Sequence, residues 1–157
     1  MSSIRRAREN DIPRLDDLLL QVLTVHHDIR PDLFKGGCRK YNELELAALI
    51  GNDLRPIFVY ADDEDVVQGY AFCVIEQHPG NNILTDIKTL YLDDLCVDSA
   101  CRGQGIGRRL YDHVKAYAKE IGCHNLTLNV WEGNDSAKRF YESLGLHPYK
   151  YGMETIL

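Results

Sequence analysis

The chain has 157 residues, of which 45% are apolar and 27% charged, the balance of an ordinary globular protein with room for one substantial core. Its 18 Lys and Arg against 24 Asp and Glu leave a net charge of −6, which argues against nucleic acid as the main partner and leaves room for a cationic substrate. No apolar run approaches ~20 residues and the start "MSSIRRAREND" lacks an apolar core, so neither a membrane span nor a signal peptide is expected.

The five cysteines, Cys38, Cys73, Cys96, Cys101 and Cys123, are odd in number and show no C-x-x-C spacing. They read as small buried thiols of a reducing cytoplasm, and no metal site is expected. No repeat or low-complexity linker interrupts the chain, so residues 1–157 read as one domain.

In chain order, "SIRRA" reads as a first strand. "NDIPRLDDLLLQVLTVHH" follows as a helix, capped by Asn10 or Asp11, with Pro13 in its first turn and Leu15, Leu18, Leu19, Val22 and Val25 at helical spacing. The loop "DIRPDLFKGG" leads to a short helix in "YNELELAALI" that stops at Gly51. "PIFVYA" and "VVQGYAFCVIEQH" form a hairpin around "DDED", and "DIKTLYLDDLCV" is the next strand.

From Gln104 to Ile121 the pattern is an amphipathic helix, with Ile106, Leu110, Val114, Tyr117 and Ile121 on one face and Gly122 as its stop. "NLTLNVW" is a strand, "NDSAKRFYESLG" a short helix between an Asn cap and a Gly stop, and "LHPYKYGMETIL" closes with one or two strands. The order βααβββαβαβ(β) is mixed α/β, with antiparallel strands first and a strand–helix–strand crossover later that makes its two strands parallel neighbours.

The segment "RGQGIGRR" places Gly103, Gly105 and Gly107 between a strand and a helix start, with Arg102, Arg108 and Arg109 beside them. Glycines let a backbone approach an anion, and free N–H groups at a helix start point at it, so a pyrophosphate is the natural ligand. No Lys-Ser/Thr follows Gly107, which removes the P-loop reading. Arg108 and the single crossover disfavour a dinucleotide fold. A glycine-softened helix start with no ligand stays open at this point.

The pattern R-x-x-G-x-G (Arg102, Gly105, Gly107) after a strand ending in "LCV" resembles the acyl-CoA-binding motif of the GNAT superfamily of N-acetyltransferases. "NVWEGNDSAKRFYESLGL" resembles that superfamily's second signature, N-x-x-A-x-x-F-Y-x-x-x-G-F, with Leu146 in place of the final Phe. The opening "IRRARENDIPRL" and a closing strand over 153–157 extend the likeness along the chain. It implies a mixed sheet of about 6–7 strands flanked by about 4 helices, with a splayed pair of parallel strands, and acetyl-CoA as the cofactor.

The same resemblance implies that the backbone of Leu95, Cys96 and Val97 holds the pantetheine arm, and that the stretch Arg102, Gly103, Gln104, Gly105, Ile106, Gly107 and Arg108 receives the pyrophosphate. These contacts are largely backbone, so the side chains of Gln104 and Ile106 need no special character. Cys96 has no His or Lys beside it in sequence to activate a thiolate, so it is not expected to be a nucleophile. Asn134 caps its helix and would also touch the cofactor.

Acetyl transfer to an amine needs the amine neutral and held at the thioester, a donor for the oxyanion, and a proton for the departing thiolate. By the resemblance Tyr141 is the general acid; by periodicity alone it is a core aromatic beside Phe140. "LYLDD" is similar to the "YLED" of spermidine/spermine N-acetyltransferases, which gives Asp93 the task of attracting the ammonium and taking its proton. Adjacent strand residues face opposite ways, so only one of Asp93 and Asp94 reaches a given site unless a bulge intervenes.

His26 and His27, in the segment that walls the acceptor site in such enzymes, are candidates for the acceptor pocket, against the plainer reading of surface groups near a helix end. Trp131 and Tyr91 read as packing residues. The implied reaction is direct attack by a small-molecule amine in a ternary complex. Acetylation of a protein N-terminus or lysine, and a non-catalytic acyl-CoA-binding module, remain as alternatives. A homodimer is implied only by analogy with relatives.

Overall fold

A computed structural model describes all residues from Met1 to Leu157. Its centre is one sheet in the order β1-β2-β3-β4-β5: β1 (Ser3–Arg6), β2 (Ile57–Ala61), β3 (Val67–Glu76), β4 (Thr89–Val97) and β5 (Asn125–Thr127). The first four strands run antiparallel to their neighbours and β4 pairs with β5 in parallel, as the crossover requires. Four helices flank the sheet: α1 (Ile12–Ile29), α2 (Glu43–Ile50), α3 (Ile106–Glu120) and α4 (Asp135–Ser143).

The period of two in the strands divides the core. Val59, Val67, Tyr70, Phe72 and Cys96 face α1 and α2, meeting Leu15, Leu18 and Leu46. Phe58, Ala71, Cys73, Leu90 and Leu92 face α3, meeting Ile106, Leu110 and Val114. Every residue of β2 is buried, because it lies inside the sheet with helices on both faces. No helix is long and apolar enough to cross a membrane.

Local chemistry fixes the ends of the helices. The Asn42 side chain accepts from Glu45 N at 2.8 Å while its own N–H donates to Glu45 Oε1 at 3.1 Å, a capping box that starts α2. Asn134 starts α4 in the expected way, accepting from Ala137 N at 3.3 Å. Asp11 precedes α1 but makes no side-chain cap. Its buried carboxylate instead accepts from Arg5 Nη1 and Nη2, at 2.8 and 3.0 Å, and from the Arg8 N–H, tying β1 to the start of α1.

Two expectations about the strands are corrected. "NLTLNVW" contributes only Asn125–Thr127 to the sheet, since its pairing with β4 ends at Tyr91↔Thr127. The expected closing strands do not form: residues 147–157 are exposed and make no backbone hydrogen bond, so the sheet has five strands rather than six or seven. Alternating Tyr149, Tyr151 and Met153 mimic a strand in the sequence, but a strand needs a partner and the segment pairs with none.

Candidate functional site

The early end of the β4–β5 pairing is what opens the site. Residues from Leu92 onward on β4 and from Leu128 onward after β5 diverge, leaving a cleft between two strands of one sheet. A cavity of about 660 Å³ occupies it and runs from the acids of β4 past Leu95, Cys96 and Val97 to the turn before α3. A separate hollow of about 520 Å³ between β1 and α3, lined by Tyr60, Arg109 and His113, shares no lining residue with this cleft, so Arg109 alone of the three arginines beside the glycines points elsewhere.

At the turn, Gly103 and Gly105 adopt φ of +81° and +74°, the left-handed region that side chains avoid. No atom lies within 4 Å of where a Cβ would stand on either, so the turn is an open backbone concavity. The first intrahelical bond is donated by Arg109 N to Gly105 O, which leaves the amides of Ile106, Gly107 and Arg108 without helical acceptors. Arg102 and Arg108 are exposed at its rim. Gly107 has a different reason to be glycine: a Cβ there would stand 3.3 Å from Phe140 Cζ, where α3 meets α4.

A bulge brings the two acids together. Phe72 pairs with Asp94 and Cys73 with Leu92, so Asp93 is an extra residue on β4. Leu90 and Leu92 before it, and Leu95 and Val97 after it, all pack on the α3 side. Asp94 and Cys96 consequently face the same side as Asp93, toward α1 and the loop after it. The carboxylate of Asp93 stands 3.5 Å from Lys40 Nζ, and Asp94 Oδ2 accepts a 2.7 Å hydrogen bond from the Tyr70 hydroxyl.

The charges there are coupled. Burial pushes the Asp94 carboxyl up to about 6, against the opposing pull of the Lys40 ammonium and the Tyr70 hydrogen bond. Burial would lower the Lys40 ammonium, but Asp94 and Asp93 together outweigh it and hold its pKa above the ordinary lysine range. Burial, followed by Lys40, lowers His26, which leaves its imidazole neutral at pH 7. The Cys96 thiol is buried, donates to the Leu18 carbonyl at 3.7 Å and is pushed up to about 12 by burial and by Asp94, the state of an inert thiol.

Tyr141 reaches the opposite wall from α4. Burial and then the charge of Asp94 raise its phenol well above the ordinary tyrosine value, keeping it protonated. No protein group hydrogen-bonds to its hydroxyl, and no buried side-chain polar atom is left without a partner, so the hydroxyl faces the cavity.

Of the residues singled out from the sequence, Asp93, Leu95, Cys96, Val97, Arg102, Gly103, Gly105, Ile106, Gly107, Arg108, Asn134, Tyr141 and His26 all line this one cavity. Gln104 belongs to the turn but not to the lining. His27 is turned away from the cavity: its Nδ1–H donates to the Phe34 carbonyl at 2.7 Å and folds the loop after α1 back onto the helix. Phe34 is thereby set between His26, at 5.2 Å ring to ring, and Trp131, at 5.4 Å edge-on.

Lys40, Tyr91, Asn129 and Trp131 complete the end of the cavity beside the two acids, with Asn129 Nδ2 donating to the Tyr91 hydroxyl at 3.1 Å. Trp131 and Tyr91 thus line the cleft as well as packing beside it. Nothing near Lys40 in the sequence marks it, and only the loop's path brings it to β4.

Comparison with known proteins agrees with this geometry. Residues 22–146 match the profile described as the Acetyltransferase (GNAT) family. The chain is 27% identical to the peptidyl-lysine N-acetyltransferase YjaB of Salmonella typhimurium, over 92% of this chain and 83% of that protein. The thialysine N-epsilon-acetyltransferase of Bos taurus is 38% identical over a shorter stretch, 37% of this chain and 34% of that protein. Among solved structures, a tetramutant of the BH1408 protein from Bacillus halodurans superposes with a TM-score of 0.93 at 32% identity, covering 99% of each chain. An aminoglycoside acetyltransferase from a soil metagenome shares the fold at a TM-score of 0.74 and 20% identity.

Proposed function

The chain belongs to the GNAT acetyltransferase family, and we propose that it moves an acetyl group from acetyl-CoA to a primary amine by direct attack in a ternary complex. The observation that carries this reading is contiguity: one cavity joins a backbone anion cradle, a splayed strand, a protonated phenol and a pair of carboxylates. The concavity at Gly103 and Gly105, with its unbonded amides and two flanking arginines, suits a pyrophosphate. Acetyl-CoA, when bound, supplies a thioester carbonyl activated toward amines.

The chain's own residues divide the remaining work. The backbone of Leu95, Cys96 and Val97, freed by the splay, offers N–H and C=O groups to the pantetheine arm and an N–H to the carbonyl oxygen. Tyr141 gives a proton to the departing thiolate, for which a phenol held protonated is the right donor. Asp94, rather than Asp93, takes the proton from the incoming amine: a carboxyl near 6 is matched to neutral pH, and its charge reaches both Lys40 and Tyr141. Asp93 draws the ammonium toward the cleft. His26, Phe34 and Trp131 form an aromatic wall along the carbon chain of the acceptor, on which a cation also sits favourably.

The acceptor we favour is a small molecule with an amine at the end of a flexible chain. Two of the relatives are named for acetylating peptidyl-lysine and thialysine, which both present such an amine. Peptidyl-lysine is the second reading, favoured by the longer match to the peptidyl-lysine enzyme. A non-catalytic acyl-CoA module would have no use for the Tyr141 hydroxyl aimed at the cleft.

The test is a coupled assay of CoA release from acetyl-CoA across polyamines, free lysine analogues and lysine peptides. Amine-dependent release with acetylated product supports the reading. Tight acetyl-CoA binding with no release on any amine would overturn catalysis, and no binding by calorimetry would overturn the cofactor assignment. Activity confined to peptides would select the second reading.

A further inference from the structure

Lys40 is the only lysine that lines the cleft; Lys35, Lys88, Lys115, Lys119, Lys138 and Lys150 all lie outside it. Its backbone belongs to the stretch between α1 and α2, yet that stretch is held on both sides of it. Arg39 pairs with Asp16 on α1, the Tyr41 ring stacks on Phe72 at 6.2 Å, and Asn42 caps α2. Lys40 is therefore aimed by its neighbours rather than left to swing. Its Nζ comes to 3.5 Å from Asp93 Oδ2 and under the field of Asp94.

An ammonium in that place has the surroundings that acetyl transfer gives to an acceptor. The two carboxylates, the splayed backbone of Leu95, Cys96 and Val97, and the Tyr141 hydroxyl line the same cavity as the Lys40 side chain. A tethered amine needs no encounter, so its effective concentration is set by the fold and not by the solution. Structural need does not explain the residue. The pair with Asp93 is 39% and 30% exposed, and such a pair adds little to stability. An arginine would also hold a carboxylate better, through its two-pronged guanidinium, whereas only a lysine offers a nitrogen that can lose a proton and be acylated.

We propose, resting on the acetyl transfer described above, that Lys40 is an internal acceptor: it is acetylated from acetyl-CoA bound to its own chain, and the neutral amide frees Asp93 and Asp94 for an external ammonium. Asp94 takes one proton from the ammonium and passes it to solvent. The Lys40 Nζ lone pair then forms the bond to the acetyl carbon, and the bond from that carbon to sulfur breaks. Tyr141 gives its proton to the departing sulfur, and the second Nζ proton restores the phenol. The sum is ammonium and thioester in, amide, thiol and one proton out. Because Lys40 is held as an ammonium, only a small fraction is neutral at pH 7, so the event is slow and happens once per chain.

Intact-mass spectrometry of the unmodified full chain, incubated with acetyl-CoA and no amine, tests this, with the modified residue mapped by peptide fragmentation. The expected result is one acetyl group per chain, on Lys40 at least ~10-fold faster than on any other lysine, at a rate per chain independent of protein concentration. Lys40→Arg is expected to take up no acetyl group at that rate, and Tyr141→Phe to slow the uptake about 10²-fold. With no cofactor present, the acetylated chain is expected to bind a short alkyl diamine about 2- to 5-fold more tightly than the unmodified chain, by calorimetry. Similar rates on all lysines would be ordinary chemical acetylation, and a rate that rises with protein concentration would be transfer between chains; either overturns the proposal. An adduct that leaves diamine affinity unchanged or weaker overturns the release of the carboxylates. No adduct while external amines are acetylated overturns the internal acceptor and leaves the proposed function standing; no adduct and no transfer to any amine overturns both.

Discussion

The Tyr70 hydroxyl donates a 2.7 Å hydrogen bond to Oδ2 of Asp94, joining the middle of β3 to the residue just after the bulge in β4. Tyr70 is fully buried, so this bond lets a carboxyl sit at the floor of the cleft without an unmatched oxygen. It also sets the pH behaviour of the site, because burial outweighs the bond and Lys40 and leaves Asp94 near 6 against an ordinary value of 3.8.

A carboxyl whose folded value lies above its unfolded value binds more protons in the native state between the two. Stability from this group is therefore complete below about pH 4 and falls as pH rises through about 6. Asp94→Asn keeps an acceptor for Tyr70 and has no charge to bury. The variant is expected to match the parent near pH 4 and to exceed it by ~3 kcal/mol at pH 8, read from urea unfolding at the two pH values. Its acetyl transfer should fall sharply and lack the acidic limb near pH 6 that is expected of the parent. A parent stability advantage that grows from pH 4 to pH 8 would contradict a raised Asp94.

Tyr141→Phe removes one hydroxyl from the cleft and leaves the ring that packs on Phe140, 5.1 Å away. The expected outcome is a loss of about 10²-fold or more in kcat with acetyl-CoA affinity nearly unchanged, measured by steady-state kinetics and calorimetry. Unchanged turnover on an accepted amine would remove the phenol from the chemistry.

Gly105→Glu puts a side chain on a residue at φ +74°, in open space above the unbonded amides of α3. Backbone strain of about 1–3 kcal/mol and a carboxylate competing for the anion cradle act in the same direction. CoA binding is expected to vanish by calorimetry while the far-UV spectrum is kept; intact binding would show that the pyrophosphate lies elsewhere.

The two motif segments were legible in the sequence because their chemistry is local. A glycine turn, an Asn cap and an alternation of apolar residues each act over a few neighbours, so the strand–turn–helix around Gly105 and the helix carrying Tyr141 stand where the pattern puts them. The bulge was legible only as an option: two adjacent acids in "LYLDD" can share a face only with one, and it is the pairing of Phe72 with Asp94 and of Cys73 with Leu92 that shows Asp93 to be surplus. The sequence also pointed to Asp11 as a cap, whereas the long reach of Arg5 takes its carboxylate for another purpose. The closing strands failed for a related reason, since Tyr149, Tyr151 and Met153 encode the strand period but not the edge that would receive it. Lys40 and Tyr70 enter the site through tertiary placement, which no short window records.

Lys40 stands where an acceptor's ammonium would be drawn, 3.5 Å from Asp93 and under the field of Asp94. A cationic acceptor must share those carboxylates with it. Lys40→Met keeps the length and apolar stem of the side chain and removes the charge. Because Lys40 is 39% exposed, solvent screens the pair and the gain is modest: KM for a cationic amine is expected to fall about 2- to 5-fold, with kcat at the pH optimum little changed. The same substitution removes a charge that holds Asp94 down, so the acidic limb of the pH profile should move upward from its parent position. A rise in KM for the amine would instead make Lys40 a contact to the acceptor, and an unmoved limb would separate Asp94 from the rate.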